Sequence, residues 1–222
     1  PLNYTGGKTK LLPQISELFP KKINTFVDLF CGGGNVGVNI LSKSTIYNDL
    51  NKDVIKLLDF FKNNSFETID NQILKIIADY SLSDSEAYGY EYYGCNSSDG
   101  LGKYNKAAFQ KLRKDFNDSN RDNLAMLFAL ILYGFNNQIR FNNKGEYNLP
   151  VGKRDYNRST KYNLASFCRD LASQDSIILN TDFRNFDIST LNGDDMIYCD
   201  PPYLITTATY NEKDGWNTND EK

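Results

Sequence analysis

Apolar positions along the chain fall into two periods. Alternating or continuous short runs mark four strands: Thr25 to Phe30, Ser44 to Tyr47, Ser176 to Leu179, and Met196 to Cys199. Between them the spacing is helical. Leu11, Leu12, Ile15, Leu18 and Phe19 make one apolar face, with Thr9 as its cap and Pro13 tolerated in the first turn. Val38 to Leu41 reads as the start of another helix. Val54, Ile55, Leu57, Leu58 and Phe61 form a stripe that Asn51 can cap, and Phe66 to Ala78 repeats the pattern through Ile69, Ile73, Leu74, Ile76 and Ile77. Helices are also predicted over Tyr104 to Phe116, Leu124 to Tyr133 and Tyr162 to Ala172. From Ser81 to Lys103 periodicity lapses among turn formers, so a long loop is expected, with Tyr88, Tyr90, Tyr92 and Tyr93 partly buried beneath it. Alternation over Gln138 to Asn142 and Glu146 to Leu149, about Asn143-Lys144-Gly145, predicts a β-hairpin.

Composition narrows the chemistry. The 222 residues can bury a sizeable core, and the apolar run from Leu124 to Phe135 is too short to span a bilayer. With no leader pattern at its start and no membrane segment, the chain is expected to be cytoplasmic. Cys31, Cys95, Cys168 and Cys199 lie far apart without a CxxC pair, which suits free thiols better than zinc or disulfides. No metal site is predicted. The absence of His removes histidine bases and Ser-His nucleophiles. A net charge of −3 means that any nucleic-acid surface must be a local concentration of basic residues.

Three stretches carry candidate chemistry. The first strand runs into Cys31-Gly32-Gly33-Gly34-Asn35-Val36-Gly37, in which Gly32, Gly34 and Gly37 match G-x-G-x-x-G between a strand and a helix. Asp49 follows at the tip of the second strand, at the spacing where a carboxylate accepts hydrogen bonds from ribose hydroxyls. This unit reads as the binding site of a nucleoside-containing cofactor. Asp200-Pro201-Pro202-Tyr203 leaves the last strand with a carboxylate, a carbonyl held out of any helix and an aromatic ring, a set suited to a planar group bearing NH2. The hairpin carries Asn136, Asn137, Gln138, Arg140 and Asn142, donors that pair with base edges. Lys153, Arg154, Arg158, Lys161 and Arg169 follow it as a local basic patch. Near the start, Asn3-Tyr4-Thr5-Gly6-Gly7-Lys8 is a glycine-containing loop that places Lys8 beside a helix N-terminus; taken alone it reads as a capped turn with a solvated lysine, and a lysine reaching a ligand is the alternative.

Taken together and in order, Tyr4-Thr5-Gly6-Gly7-Lys8, Phe26-Val27-Asp28-Leu29-Phe30-Cys31-Gly32-Gly33, Asn48-Asp49, the segment 134–153 and Asp200-Pro201-Pro202-Tyr203 resemble the Dam-type DNA adenine-N6 methyltransferases. The similarity is nearest to the short T-even phage members and covers nearly all of the chain. It implies an α/β fold: a Rossmann-like methyltransferase sheet with an inserted, mainly helical DNA-recognition domain carrying the hairpin. The catalytic domain would comprise 1–58 and 160–222, and the target-recognition domain 59–159. Seven strands are implied and four are counted, so the C-terminal strands are expected to be missing from this chain, which opens at Pro1.

The resemblance further implies S-adenosyl-L-methionine as cofactor. Asp28, Phe30 and the loop of Gly32, Gly33 and Gly34 would hold its methionine part, Asp49 its ribose, and Asp182 with Phe183 its adenine. Tyr4 and Lys8 would lie near the cofactor and target-base pockets. Asp200 and Pro201 would accept the two N–H bonds of a flipped adenine in double-stranded DNA, with Pro202 shaping the turn and Tyr203 stacking on the base. Arg140 matches an arginine that reads a guanine edge, Asn136, Gln138, Asn142 and Pro150 occupy neighbouring contact positions, and Arg154 belongs to the basic run. GATC is the expected site. A restriction partner and the oligomeric state stay open. So do a nicotinamide-dependent oxidoreductase, an RNA or protein N-methyltransferase, and a DNA-binding module without catalysis.

Overall fold

The computed structural model describes Leu2, Gly7, Lys8, and residues 10–96 and 98–202. Its strands are β1 (Thr25–Asp28), β2 (Ser44–Asn48), β3 (Ser176–Leu179) and β4 (Met196–Tyr198), and its helices α1 (Leu12–Ser16), α2 (Lys52–Asn63), α3 (Phe66–Tyr80), α4 (Ser85–Tyr92), α5 (Gly102–Asp118), α6 (Leu124–Tyr133) and α7 (Arg158–Ser173). The fold is mixed α/β on a parallel sheet of order β3-β2-β1-β4. Phe26 is paired with Thr45 on one side and Met196 on the other, so β1 is buried between neighbours. Four parallel strands bring four carboxyl ends to the same edge, where open α/β sheets hold ligands. Asp195 fixes that register from below. Its carboxylate accepts the Thr25 amide at 2.8 Å and Asn24 Nδ2 at 3.1 Å, tying the start of β4 to the start of β1.

The described residues divide into two compact units, one holding 7–59 and 173–202, the other Leu2 and 60–172. The division falls within α2 and at the end of α7, compared with 58/59 and 159/160 read from the sequence. In the sheet unit, Ile23, Phe26, Val36 and Ile40 form a buried cluster packed by Leu12, Phe19, Met196 and Tyr198. The rings of Phe26, Phe19 and Tyr198 pack as a triangle, with centroids 5.8, 5.9 and 6.4 Å apart. In the helical unit α6, buried at nearly every position, packs with α3 and α5. Phe61 meets Phe128 edge-on at 4.9 Å and Phe167 of α7 at 6.0 Å, which is why α7 belongs here. Among the described residues no helix is long and apolar enough to cross a membrane.

Several elements differ from their sequence-based outlines. β1 ends at Asp28 because the chain turns at Leu29 into the glycine loop. Only Gly37–Asn39 is helical after it, as a 3-10 turn, since Ile40 is already extended at φ −100°, ψ 131°. α1 is a single turn and leaves Leu18 exposed; the Thr9 cap lies outside the described residues. The expected 81–103 loop contains α4, capped by Asp84, whose side chain accepts the Ala87 amide, and kinked at Gly89 with φ 74°. Tyr88 and Tyr92 are exposed there, stacked on each other at 4.9 Å. The hairpin is an antiparallel excursion with two isolated bridges, Gly134 with Val151 and Phe141 with Tyr147, in place of two regular strands.

Candidate functional site

At the strand tips of the sheet unit, Asp28 is the most confined charge. It is 1% exposed and accepts the Gly37 amide through Oδ2 at 3.0 Å. Burial pushes its carboxyl up to about 7; the Gly37 hydrogen bond opposes this, and the charges of Asp49 and Asp200 add to it. Three carboxylates therefore converge at one edge of the sheet. Asp49 is also pushed up by burial, against hydrogen bonds from the Asn51 and Gly32 amides, each at 2.8 Å. Asp200, at the exit of β4, is paired with Lys8 Nζ at 2.5 Å, which brings together residues 192 positions apart.

The loop between β1 and β2 is shaped by Gly32 and Gly34, at φ 47° and 69°, where a side chain would be strained. The Gly32 amide bonds Asp49, the Cys31 amide bonds the Asn48 carbonyl at 2.8 Å, and Gly34 bonds back to Cys31 at 2.8 Å. Gly33 lies buried between them. Asn48 is a residue the sequence reading passed over in favour of its neighbour. Its buried side chain donates to the Leu29 and Thr181 carbonyls at 3.1 and 2.9 Å and accepts the Thr181 amide at 3.0 Å. One amide thus stitches the ends of β1, β2 and β3, and its only sequence signal was a polar residue at a strand tip. Asn180 adds bonds to the Asp49 and Leu50 carbonyls.

Phe30 and Phe183 face each other with centroids 5.3 Å apart. Asp182 caps the turn that carries Phe183 by accepting the Arg184 amide at 2.9 Å, and it also holds the Arg184 guanidinium, which lies 4.8 Å over the Phe183 ring. Arg184 was not singled out from the sequence. Pro201 and Pro202 are half-buried after Asp200. Tyr4 and Tyr203 lie outside the described residues. The structure thus gathers Lys8, Asp28, Phe30, the glycines, Asp49, Asp182, Phe183, Asp200 and the prolines onto the sheet unit.

The hairpin residues belong to the helical unit. Tyr147 is its anchor, donating its hydroxyl to the Leu130 and Gln138 carbonyls at 3.0 and 3.1 Å. Asn117 of α5 bonds the Tyr147 backbone on both sides, and Arg113 donates to the Leu149 carbonyl at 2.8 Å. Asn136 and Asn137 both sit at φ 54°, and Asn137 Nδ2 caps α6 through the Ile131 and Leu132 carbonyls. Arg140 Nε donates to Asn148 Oδ1 at 2.7 Å, and its Nη2 to the Asn148 carbonyl at 3.2 Å, so Asn148 orients the guanidinium. Asn142 is engaged within the turn: it donates to Glu146 and accepts the Lys144 and Glu146 amides. Gln138 is half-buried; Pro150 and Arg154 are exposed, and the Pro150 carbonyl accepts the Phe135 amide at 2.9 Å.

Comparison with known proteins identifies relatives of the chain. The Type II methyltransferase M.FokI of Planomicrobium okeanokoites is 40% identical over 214 residues, spanning 96% of this chain and 30% of that protein. The modification methylase StsI of Streptococcus sanguinis is 39% identical over 227 residues, 100% of this chain and 32% of its own length. The DNA adenine methylase of Haemophilus influenzae is 29% identical over 205 residues, covering 91% and 63% respectively. The chain therefore spans about a third of the length of the first two. The sequence profile of the D12 class N6 adenine-specific DNA methyltransferases matches residues 4–222, and the chain belongs to that family.

Proposed function

We propose that the chain transfers a methyl group from S-adenosyl-L-methionine to the N6 amino group of an adenine flipped out of double-stranded DNA, as the modification arm of a restriction-modification system. The observation that supports it most is the convergence of three carboxylates at the strand tips, with Asp200 of the DPPY turn among them. A cluster in which Lys8 pairs Asp200 while burial pushes up the carboxyls of Asp28 and Asp49 suits a further cation, and the cofactor carries a sulfonium and an ammonium. The glycine loop, Asp28 and Asp49 fit its methionine and ribose parts. Phe30 and Phe183, with the turn of Asp182, offer rings to its adenine. When bound, the cofactor supplies an electrophilic methyl.

The chain's own residues do the rest by position and charge. Adenine's exocyclic nitrogen is a poor nucleophile because its lone pair is delocalised. Asp200 and the Pro201 carbonyl accept its two N–H bonds and draw it toward tetrahedral geometry. Lys8 holds the Asp200 carboxylate in orientation before the base arrives. Unstacking the base costs a few kcal/mol, which phosphate and edge contacts from 134–154 offset. Residues 60–172 act as the target-recognition domain, with Arg140 reading a guanine edge, Asn136, Gln138, Asn142 and Pro150 beside it, and Arg154 on the backbone.

The chain incubated with tritiated S-adenosylmethionine and a GATC duplex is expected to yield N6-methyladenine, and a random duplex library maps the site if GATC is not it. Asp200→Ala should lose transfer while still binding cofactor. Full activity in that variant, or no methylated adenine on any duplex, would sink the proposal.

A further inference from the structure

Gly37, the third glycine of the G-x-G-x-x-G match, is held by Asp28 and by two residues to which the cofactor reading gives no role, Gln174 and Tyr47. The Gly37 amide donates to Asp28 Oδ2 at 3.0 Å. Its carbonyl accepts Gln174 Nε2 at 3.1 Å, with Val38 O at 3.5 Å from the same nitrogen. Gln174 lies 137 residues away in sequence, two positions before β3. Its Oε1 accepts the Tyr47 hydroxyl at 2.5 Å. Tyr47 is fully buried, and its ring lies against Gly37 so closely that an added Cβ would meet Cε1 at 2.5 Å. Both faces of the Gln174 amide are committed, because two carbonyls require the NH2 on one side and the phenol hydroxyl requires the oxygen on the other.

We infer that Gln174 and Tyr47 act as a strut that fixes the Gly37 peptide and, through its amide, sets the Asp28 carboxylate for a cationic cofactor; this rests on the S-adenosylmethionine reading above. Asp28 gains from Gly37 the hydrogen bond that offsets its burial. If the Gly37 peptide rotates, that bond is lost and Asp28 holds its proton to higher pH, which weakens its attraction for a cation. The other groups around Asp28 do not replace it. Cys31 follows β1, Tyr47 and Asp49 come from β2, and Cys199 and Asp200, with Lys8, come from the exit of β4. Gln174 and Tyr47 are thus positioning residues that act through Gly37.

The test compares Gln174→Leu, Gln174→Glu and Tyr47→Phe with the parent chain. Binding of S-adenosylmethionine and S-adenosylhomocysteine is measured by calorimetry across pH, with steady-state kinetics on duplex DNA. Each variant should raise the cofactor Kd about tenfold while kcat at saturation and DNA affinity stay within about twofold. Gln174→Glu keeps an acceptor for Tyr47 and loses the donor to Gly37, so it should match Gln174→Leu. In all three the pH at which cofactor affinity is half-maximal should move upward. Cofactor affinity, DNA affinity and kcat falling together with Tm would show a scaffold role and overturn the strut. Hydrogen exchange of the 37–39 amides in the ligand-free chain gives a second readout, expected to quicken about tenfold with α5 and α6 unchanged. Unaltered exchange refutes the strut whatever the cofactor is, whereas failure of the parent chain to bind S-adenosylmethionine refutes only the cofactor reading.

Discussion

Replacing Asp28 with Asn should make the ligand-free protein more stable at neutral pH and less able to bind the proposed cofactor. The Asp28 carboxyl titrates at about 7 in the fold against a reference value of 3.8. Below 3.8 it is protonated in the folded and unfolded chains alike and costs nothing. Between the two values the folded chain holds a proton that the unfolded chain has released, so stability falls as pH rises through that window. Above 7 both states are ionised, and the fold carries a cost of roughly 4 kcal/mol for the buried charge. Asn is nearly the same size, and its Oδ1 can still accept the Gly37 amide. Urea melts followed by circular dichroism at pH steps from about 4 to 8 should therefore show the variant and parent nearly equal at the acid end. They should then diverge to about 2–4 kcal/mol in the variant's favour at the alkaline end. Saturating S-adenosylmethionine should close most of that gap in the parent chain alone. A stability difference that does not change with pH would refute the assignment of the buried charge to Asp28.

Other outcomes follow from the same contacts. Asn48→Ala removes three hydrogen bonds from a buried site and should cost about 2–4 kcal/mol in urea melts, with faster exchange at the ends of β1 and β3. At Asn137, with φ 54°, Gly should cost less than Ala by about 1 kcal/mol, because both lose the α6 cap and only Ala keeps the left-handed strain. Arg140→Ala should lose about 1–3 kcal/mol of discrimination at one base pair in competition binding. Arg154→Ala should leave site preference intact and reduce the log–log salt slope of binding by about 1.

Local rules were enough for the parts of the fold whose reasons are local. The Asn51 cap is present, accepting the Asp53 and Val54 amides at 3.1 and 3.4 Å. The apolar run of α6 is buried as its composition demands, and β2 ends at the Asn48-Asp49 tip. α4 was hidden because Ser-Glu-Ala-Tyr-Gly-Tyr-Glu-Tyr presents no apolar face and has a glycine at its kink. What supports it is remote: Asp155 accepts the Ser85 amide at 2.7 Å and the Ser85 hydroxyl at 2.8 Å, 70 residues away. The amides of the hairpin have a second use. Asn137, Asn142 and Asn148 have the chemistry to read bases, yet here that chemistry caps a helix, closes a turn and orients Arg140. Composition cannot separate a donor offered outward from one spent on the backbone. The pairing of Lys8 with Asp200 was invisible for the same reason, since neither residue's neighbours name its partner.

The strand tips also explain how a strained cluster can persist. Burial and the charges of Asp49 and Asp200 raise the cost of charging Asp28, burial raises that of Asp49, and the sheet alone gives them no compensation. The surrounding backbone does: Asn48 ties three strand ends, Asp49 accepts two loop amides, and Asn180 clasps the chain just past β2. Each of these bonds is worth only about 1 kcal/mol, but together they are of the same order as the cost of the buried Asp28 charge. The stitches therefore do not make the site comfortable; they keep it from relaxing by spreading the carboxylates apart or admitting water. A cation bound there gains the repulsion that the scaffold has been holding. Its affinity should accordingly depend on residues that never touch it, and loosening the scaffold should weaken binding before it weakens the fold.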